Sequence, residues 1–212
     1  MHISEGILSA PVLVGGAALA LGGLAKGLKA IGEDDIPKAA VLAAVFFVAS
    51  LIHVNIGPGS AHLILSGLIG LLLGWAAFPV IFAGLLLQGV LFQFGGLTVL
   101  GVNTFNMALP AVLLGVLLRS PINSRRKAVS ALAAFACGGG AILLSSLLVA
   151  LSLYLTGREF KFVALEILAA NVPIMVIEGL MCVLVVGFLA KVRPSLLASR
   201  AIGPEKTEKN TA

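Results

Sequence analysis

Seven apolar stretches, parted by short polar or basic joints, take up most of this 212-residue chain. They fall at about 11–28, 39–52, 61–77, 78–94, 104–118, 128–155 and 162–190. A helix needs roughly 20 apolar residues to cross a hydrocarbon core of about 30 Å. Several of the seven are short, and Lys26 or Lys38 would extend its stem to reach the interface. Only 11% of the residues are charged, against roughly a quarter in a soluble domain. The expected fold is an all-α integral membrane bundle of seven transmembrane helices over residues 1–193. A polar cytoplasmic tail of 194–212 follows, disordered by its composition.

The division at residue 78 needs its own argument. One helix over 61–94 would be about 51 Å long at 1.5 Å per residue, well beyond the membrane core. Trp75 suits an interface and Pro79 suits the first turn of a new helix. Basic residues weigh the same way. With seven spans and the N-terminus outside, twelve of the fourteen Lys and Arg lie inside, and only Arg158 and Lys161 lie outside. Merging the two helices leaves at best nine against five. The positive-inside rule selects seven spans, with the N-terminus outside and the C-terminus in the cytoplasm of a cell-membrane protein.

The net charge of +5 comes in clusters between apolar runs, which marks membrane topology rather than a nucleic-acid face. Cys137 and Cys182 lack CxxC spacing and read as small core residues. No G-x-x-x-x-G-K-[ST] or H-E-x-x-H occurs, so neither ATP hydrolysis nor zinc peptidase chemistry is expected of this chain. No basic n-region precedes the first apolar run, and the mature chain is expected to begin at or next to Met1.

This topology puts 1–10, 53–60, 95–103 and the short 157–161 on the outer face. All three histidines (His2, His53 and His62) fall in or beside the first two. A histidine beside a free N-terminus can chelate a metal through the α-amine, its own amide nitrogen and imidazole Nδ1. These form fused five- and six-membered rings in one plane. Late divalent first-row ions favour that tetragonal nitrogen set. The plane lacks one donor, and His62, just after the turn-forming Gly57-Pro58-Gly59-Ser60, can supply it. His53 reads equally well as a hydrogen-bonded structural residue.

The start MHISEGIL, the segment HVNIGPGSAHLILSGLIGLLLG, the segment FGGLTVLGVNTFNMALP and the late NVPIMVIEGL together resemble the CbiM/NikM family. These are substrate-binding (S) components of energy-coupling-factor importers for cobalt and nickel. The resemblance runs from Met1 to about Ala190 and implies seven helices, with the N-terminal tail (1–10) tucked into the bundle. Carried over residue by residue, it places metal donors on Met1, His2 and His62, and supporting roles on His53 and Asn103. The partners it implies are a membrane coupling (T) protein, separate ATPase subunits and a small accessory membrane subunit. No cofactor is implied, the metal being the transported substrate. Two positions depart from the family: Asn171 stands where members often carry histidine, and Ser4-Glu5-Gly6 replaces a common Pro-Asp-Gly turn.

Other polar and small residues invite readings of their own. Glu178 lies near the middle of the last span, where a carboxylate costs about 2.5–3.5 kcal/mol unless paired or neutralised. It serves either as an ion relay or as a buried post ordering its neighbours. Glu166 is nearer the outer end and reads as interfacial. Ala39/Ala43 and Ala40/Ala44 form small-xxx-small faces, for docking a partner or for packing within the bundle. Gly138-Gly139-Gly140 marks close helix contact. Three functions compete: a cobalt or nickel S component, a self-sufficient secondary transporter coupled through Glu178, and a metalloenzyme with Glu5 as base. The first is preferred, with cobalt chosen over nickel on the overall motif match.

Overall fold

The computed structural model describes residues 2–56 and 59–198, and for 53–56, 59–61 and 198 the backbone course alone. Met1, the His53 side chain and the residues after 198 lie outside what is described. Six of the apolar runs become helices: α1 (Ala10–Ala30), α2 (Ile36–Ala49), α4 (Ala77–Phe92), α5 (Leu100–Leu117), α7 (Lys127–Thr156) and α8 (Lys161–Val192). Prolines at the starts of α1 and α2 occupy first-turn positions, where no N–H is needed. A four-residue helix, α6 (Arg119–Ile122), joins α5 to α7.

The third run differs from expectation. It opens as a hairpin, with β1 (His53–Ile56) antiparallel to β2 (Gly59–His62) and His53 paired with His62. Leu65 then turns left-handed at φ 56°, and only α3 (Ser66–Leu73) is helical. All eight of its residues are buried.

Five helical stretches among the described residues have the length and composition to cross a membrane: Ala10–Ala30, Ser66–Phe92, Leu100–Leu117, Lys127–Thr156 and Arg158–Val192. Helix α2, with 14 residues, is about 21 Å long and is shorter than those. The stretch Ser66–Phe92 is not one straight rod. Gly74 sits at φ 56° and ψ −126°, a conformation closed to most side chains, and begins a 3₁₀ turn over Gly74–Ala76. The chain doubles back there. His62 ahead of α3 and Phe94 after α4 both lie against the His2 ring, at centroid distances of 4.5 and 6.4 Å.

The far end of α3 gathers basic residues from three other segments. Lys38 donates to the Leu72 carbonyl at 2.9 Å, Arg119 donates to the Leu71 carbonyl, and the Lys26 ammonium stands 3.5 Å over the Trp75 ring. Cations here satisfy the last carbonyls of a short buried helix and oppose its dipole.

Helices α7 and α8 form a long antiparallel pair that is glycine-close. A methyl on Gly139 would lie 2.8 Å from the Met175 carbonyl, and one on Gly138 would collide with that of Glu178. Cys137 and Cys182 are buried and unoxidised in this seam. Across the bundle, α3 meets α5 backbone to backbone at Gly70, where an added methyl would overlap the Ala111 carbonyl. Gly70→Ala should therefore destabilise the fold by about 3 kcal/mol. Thermal unfolding in detergent measures it, and an unchanged midpoint would refute this close approach.

The alanines of the two small-xxx-small pairs in α2 divide between two faces. Ala39 is buried and Ala43 half-buried, on the side of Phe46, whose ring fills the space beside Gly84. Ala40 and Ala44 lie exposed beside Val41, Val45 and Val48. Ordered chain also runs beyond the expected limit at 193. Residues Pro194–Ala198 form a short helix, α9, with Leu197 buried and its carbonyl bound by the Asn123 amide at 3.1 Å.

Candidate metal centre

The N-terminal strand is threaded between the hairpin, the 93–99 turn and the start of α5. Asn103 grips it reciprocally: its Oδ1 accepts from the Ile3 N–H and its Nδ2 donates to the Ile3 carbonyl, both at 3.0 Å. Two residues on, the Glu5 N–H donates to the Gly95 carbonyl at 2.8 Å, and the Glu5 carboxylate accepts from the Thr98 N–H at 3.3 Å. Gly96, at φ 141°, lies so close to Glu5 that a side chain there would meet its carboxylate. Ile3 is fully buried and Asn103 is 2% exposed, so the two Ile3–Asn103 bonds are sheltered from water.

This threading delivers His2 to His62. Their ring centroids are 4.5 Å apart and the planes are tilted by 36°. Both are buried, at 5% and 1% exposure. The Nδ1 of His62 lies 3.0 Å from the Leu63 carbonyl. A carbonyl only accepts, so the proton sits on Nδ1 and the lone pair on Nε2. Nε2 is buried and has no hydrogen-bond partner among the described residues. His62 belongs to the hairpin, ahead of the apolar helix. Burial drives its pKa down to about 4, partly offset by the Leu63 bond, so it is neutral at physiological pH.

Among the described residues there is no group of three or more His, Cys, Asp or Glu side chains. Asn171 is buried and its amide donates to the Ile167 carbonyl at 2.8 Å, within its own helix. Glu178 is 1% exposed. Its Oε1 accepts from the Ile64 and Leu65 N–H groups at 2.5 and 2.7 Å, tying α8 to the segment directly after His62.

The sequence motifs brought His2, His62 and Asn103 into view. They did not show that Asn103 acts on the Ile3 main chain, or that Phe94 closes one side of the His2 ring. The Phe94-Gly95-Gly96 run was the available signal, since adjacent glycines allow the chain to bend tightly against the N-terminal strand.

Residues 2–196 match the family model described as the cobalt uptake substrate-specific transmembrane region, CbiM. A Haemophilus influenzae protein named for metal transport is 40% identical over 202 residues, 93% of this chain and 97% of that one. The fused nickel transport protein NikMN of Rhodobacter capsulatus is 31% identical over 69% of this chain and 46% of its own. The crystal structure of a transition metal transporter superposes with a TM-score of 0.71 at 28% identity, over 91% of this chain and 93% of that one.

Proposed function

The chain belongs to the CbiM family of cobalt-uptake transmembrane regions, and from that premise we propose that it captures a single divalent ion for an ATP-driven importer. It is a multi-pass cell-membrane protein and a component of cobalt/nickel transition-metal uptake. The donors in this reading are the Met1 amine, the His2 amide nitrogen and Nδ1, and His62 Nε2. The observation that carries it is the placing of the two imidazoles.

In the planar set, the fourth donor lies trans to the His2 amide and therefore cis to His2 Nδ1. With metal–nitrogen bonds of about 2.0 Å, two cis imidazoles have centroids about 4.5 Å apart, whereas trans imidazoles stand more than 6 Å apart. The observed separation is 4.5 Å. The tautomer of His62 presents its lone pair without prior loss of a proton. Asn103 holds the strand that sets the position of His2, as partners of ligating groups commonly do.

Asn103→Leu should lower metal affinity by about 10–100-fold with the ligands intact. Competition against a coloured chelator measures this, and an unchanged affinity would remove Asn103 from the account. Because His62 is already neutral above about pH 4, affinity should fall on acidification through the amine, whose ordinary pKa is about 7.7–8.0. A metal-binding profile flat from pH 8 to 6 would contradict an amine ligand.

Seven crossings with the N-terminus outside are part of the same proposal. The doubling back at Gly74 sets α3 and α4 side by side. His2, His62, Phe94 and Asn103 meet at one end, and Lys26, Lys38 and Arg119 meet at the other. Docking on the coupling protein would use the exposed face of α2 with Ala40 and Ala44. Ala39 and Ala43, turned inward, contribute to the bundle instead.

Cobalt is the proposed cargo, with nickel the alternative that the planar donors favour chemically. Competition of Co²⁺ with Ni²⁺ on the purified protein decides between them. Uptake into liposomes should require the ATPase and coupling subunits. Proton-driven uptake by the chain alone would establish a secondary transporter. The carboxylate that role would need, Glu178, already holds two amides.

A further inference from the structure

At the end of the bundle away from the histidines, a cavity of about 510 Å³ opens between α7 and α8, closed below by α9. Its floor is apolar, built from Val183, Val186, Ala190 and Leu197, and its rim carries Lys127 from one helix and Lys191 from the other. Both lysines are exposed, and neither ammonium has a hydrogen bond or ion pair among the described residues. Segments 119–127 and 187–198, which frame the cavity, hold six Lys or Arg and no Asp or Glu. The first turn of α7 likewise has no acidic residue to meet its dipole. The neighbouring Leu132, Leu184 and Phe188 are 72, 67 and 60% exposed, so the groove's flanks face lipid tails.

We propose that this groove is a binding site for an anionic phospholipid of the inner leaflet. Its phosphate would sit between Lys127 and Lys191 and one acyl chain along the valine floor. Charge complementarity points to the occupant: two cations from different helices, with no counter-charge among the described residues, stand over an apolar slot at the interface, the arrangement that selects anionic headgroups. A zwitterionic lipid would leave the second cation uncompensated. Free phosphate would leave the floor empty. The α2 face proposed for the coupling protein is a different surface of the bundle, built on α4, so the two occupants do not compete. Only the placing of this end in the cytoplasm is shared with the proposed topology.

The experiment uses the full chain in nanodiscs of phosphatidylcholine, with and without added phosphatidylglycerol. Phosphatidylglycerol should raise the unfolding temperature by about 3 °C and be retained in native mass spectra. In K127Q/K191Q both effects should be lost. The charge-matched K29Q/K161Q, altered away from the groove, should keep them, with metal binding intact in all three proteins. Equal stabilisation by either lipid, equal loss in both double variants, or full replacement of the effect by inorganic phosphate would each overturn the proposal. Loss of metal binding in wild-type protein would count against the metal site and leave this lipid test unaffected.

Discussion

Adding one residue ahead of Met1 should lower the affinity for Co²⁺ or Ni²⁺ by more than about 100-fold, beyond the usual cost of losing a supporting partner. The added peptide turns the primary amine into an amide and moves the new amine out of the site. One of the four nitrogens of the plane is then lost as an amine donor, though no side chain has changed. Thermal stability should be almost unaffected, because the Ile3–Asn103 pair and the Glu5–Gly95 bond hold the strand from position 3 onward. His2→Ala should match the loss of binding, and the square-planar d–d band of bound Ni²⁺ should vanish with it. An extended protein that still binds and imports metal at the normal level would mean that the amine is not a ligand.

Glu178→Leu is the substitution with the largest expected effect on stability. It removes the acceptor shared by the Ile64 and Leu65 N–H groups, both bonds being buried in the bundle. Each orphaned donor costs about 1–3 kcal/mol, so a loss of about 4 kcal/mol is expected. Glu178→Gln keeps a carbonyl oxygen in place and should lose only about 1 kcal/mol. The comparison of the two in detergent melts is the test. If Leu and Gln are tolerated equally, the carboxylate is not what anchors the chain entering α3. Leu65 makes the larger figure reasonable, since its left-handed backbone, at φ 56°, has to be held by its surroundings.

The long helices were legible because lipid demands continuous apolar runs, and α1, α5, α7 and α8 follow those runs to within a few residues. Trp75 and Pro79 announced a break, which the structure places at Gly74–Ala76. The triple glycine of α7 announced close contact, and Gly138 and Gly139 lie against carbonyls of α8. The β1–β2 hairpin was not legible. HVNI and GSAH are too short and too mixed to separate from loop, and their pairing depends on a turn between them. Nor could the sequence show which alanines of α2 face outward, since apolar residues on both sides leave little contrast when the solvent is lipid. The role of Glu178 was open between relay and post because its partners are main-chain groups 113 and 114 residues away. Backbone donors leave no trace in side-chain identity.

Helix α3 is also a mechanical part. It is about 12 Å long at 1.5 Å per residue, sheathed on every side, and clamped at both tips. Glu178 holds the tip behind His62, and Lys38 and Arg119 hold the other. Such a rod can barely bend, and it cannot slide at one tip while resting at the other. In the proposed mechanism, a shift of the hairpin on metal capture would be carried to the basic cluster at the opposite end. A tilt imposed from that end must likewise pull on His62. On that proposal, the grip on the ion and the posture of the far side are two readings of one displacement.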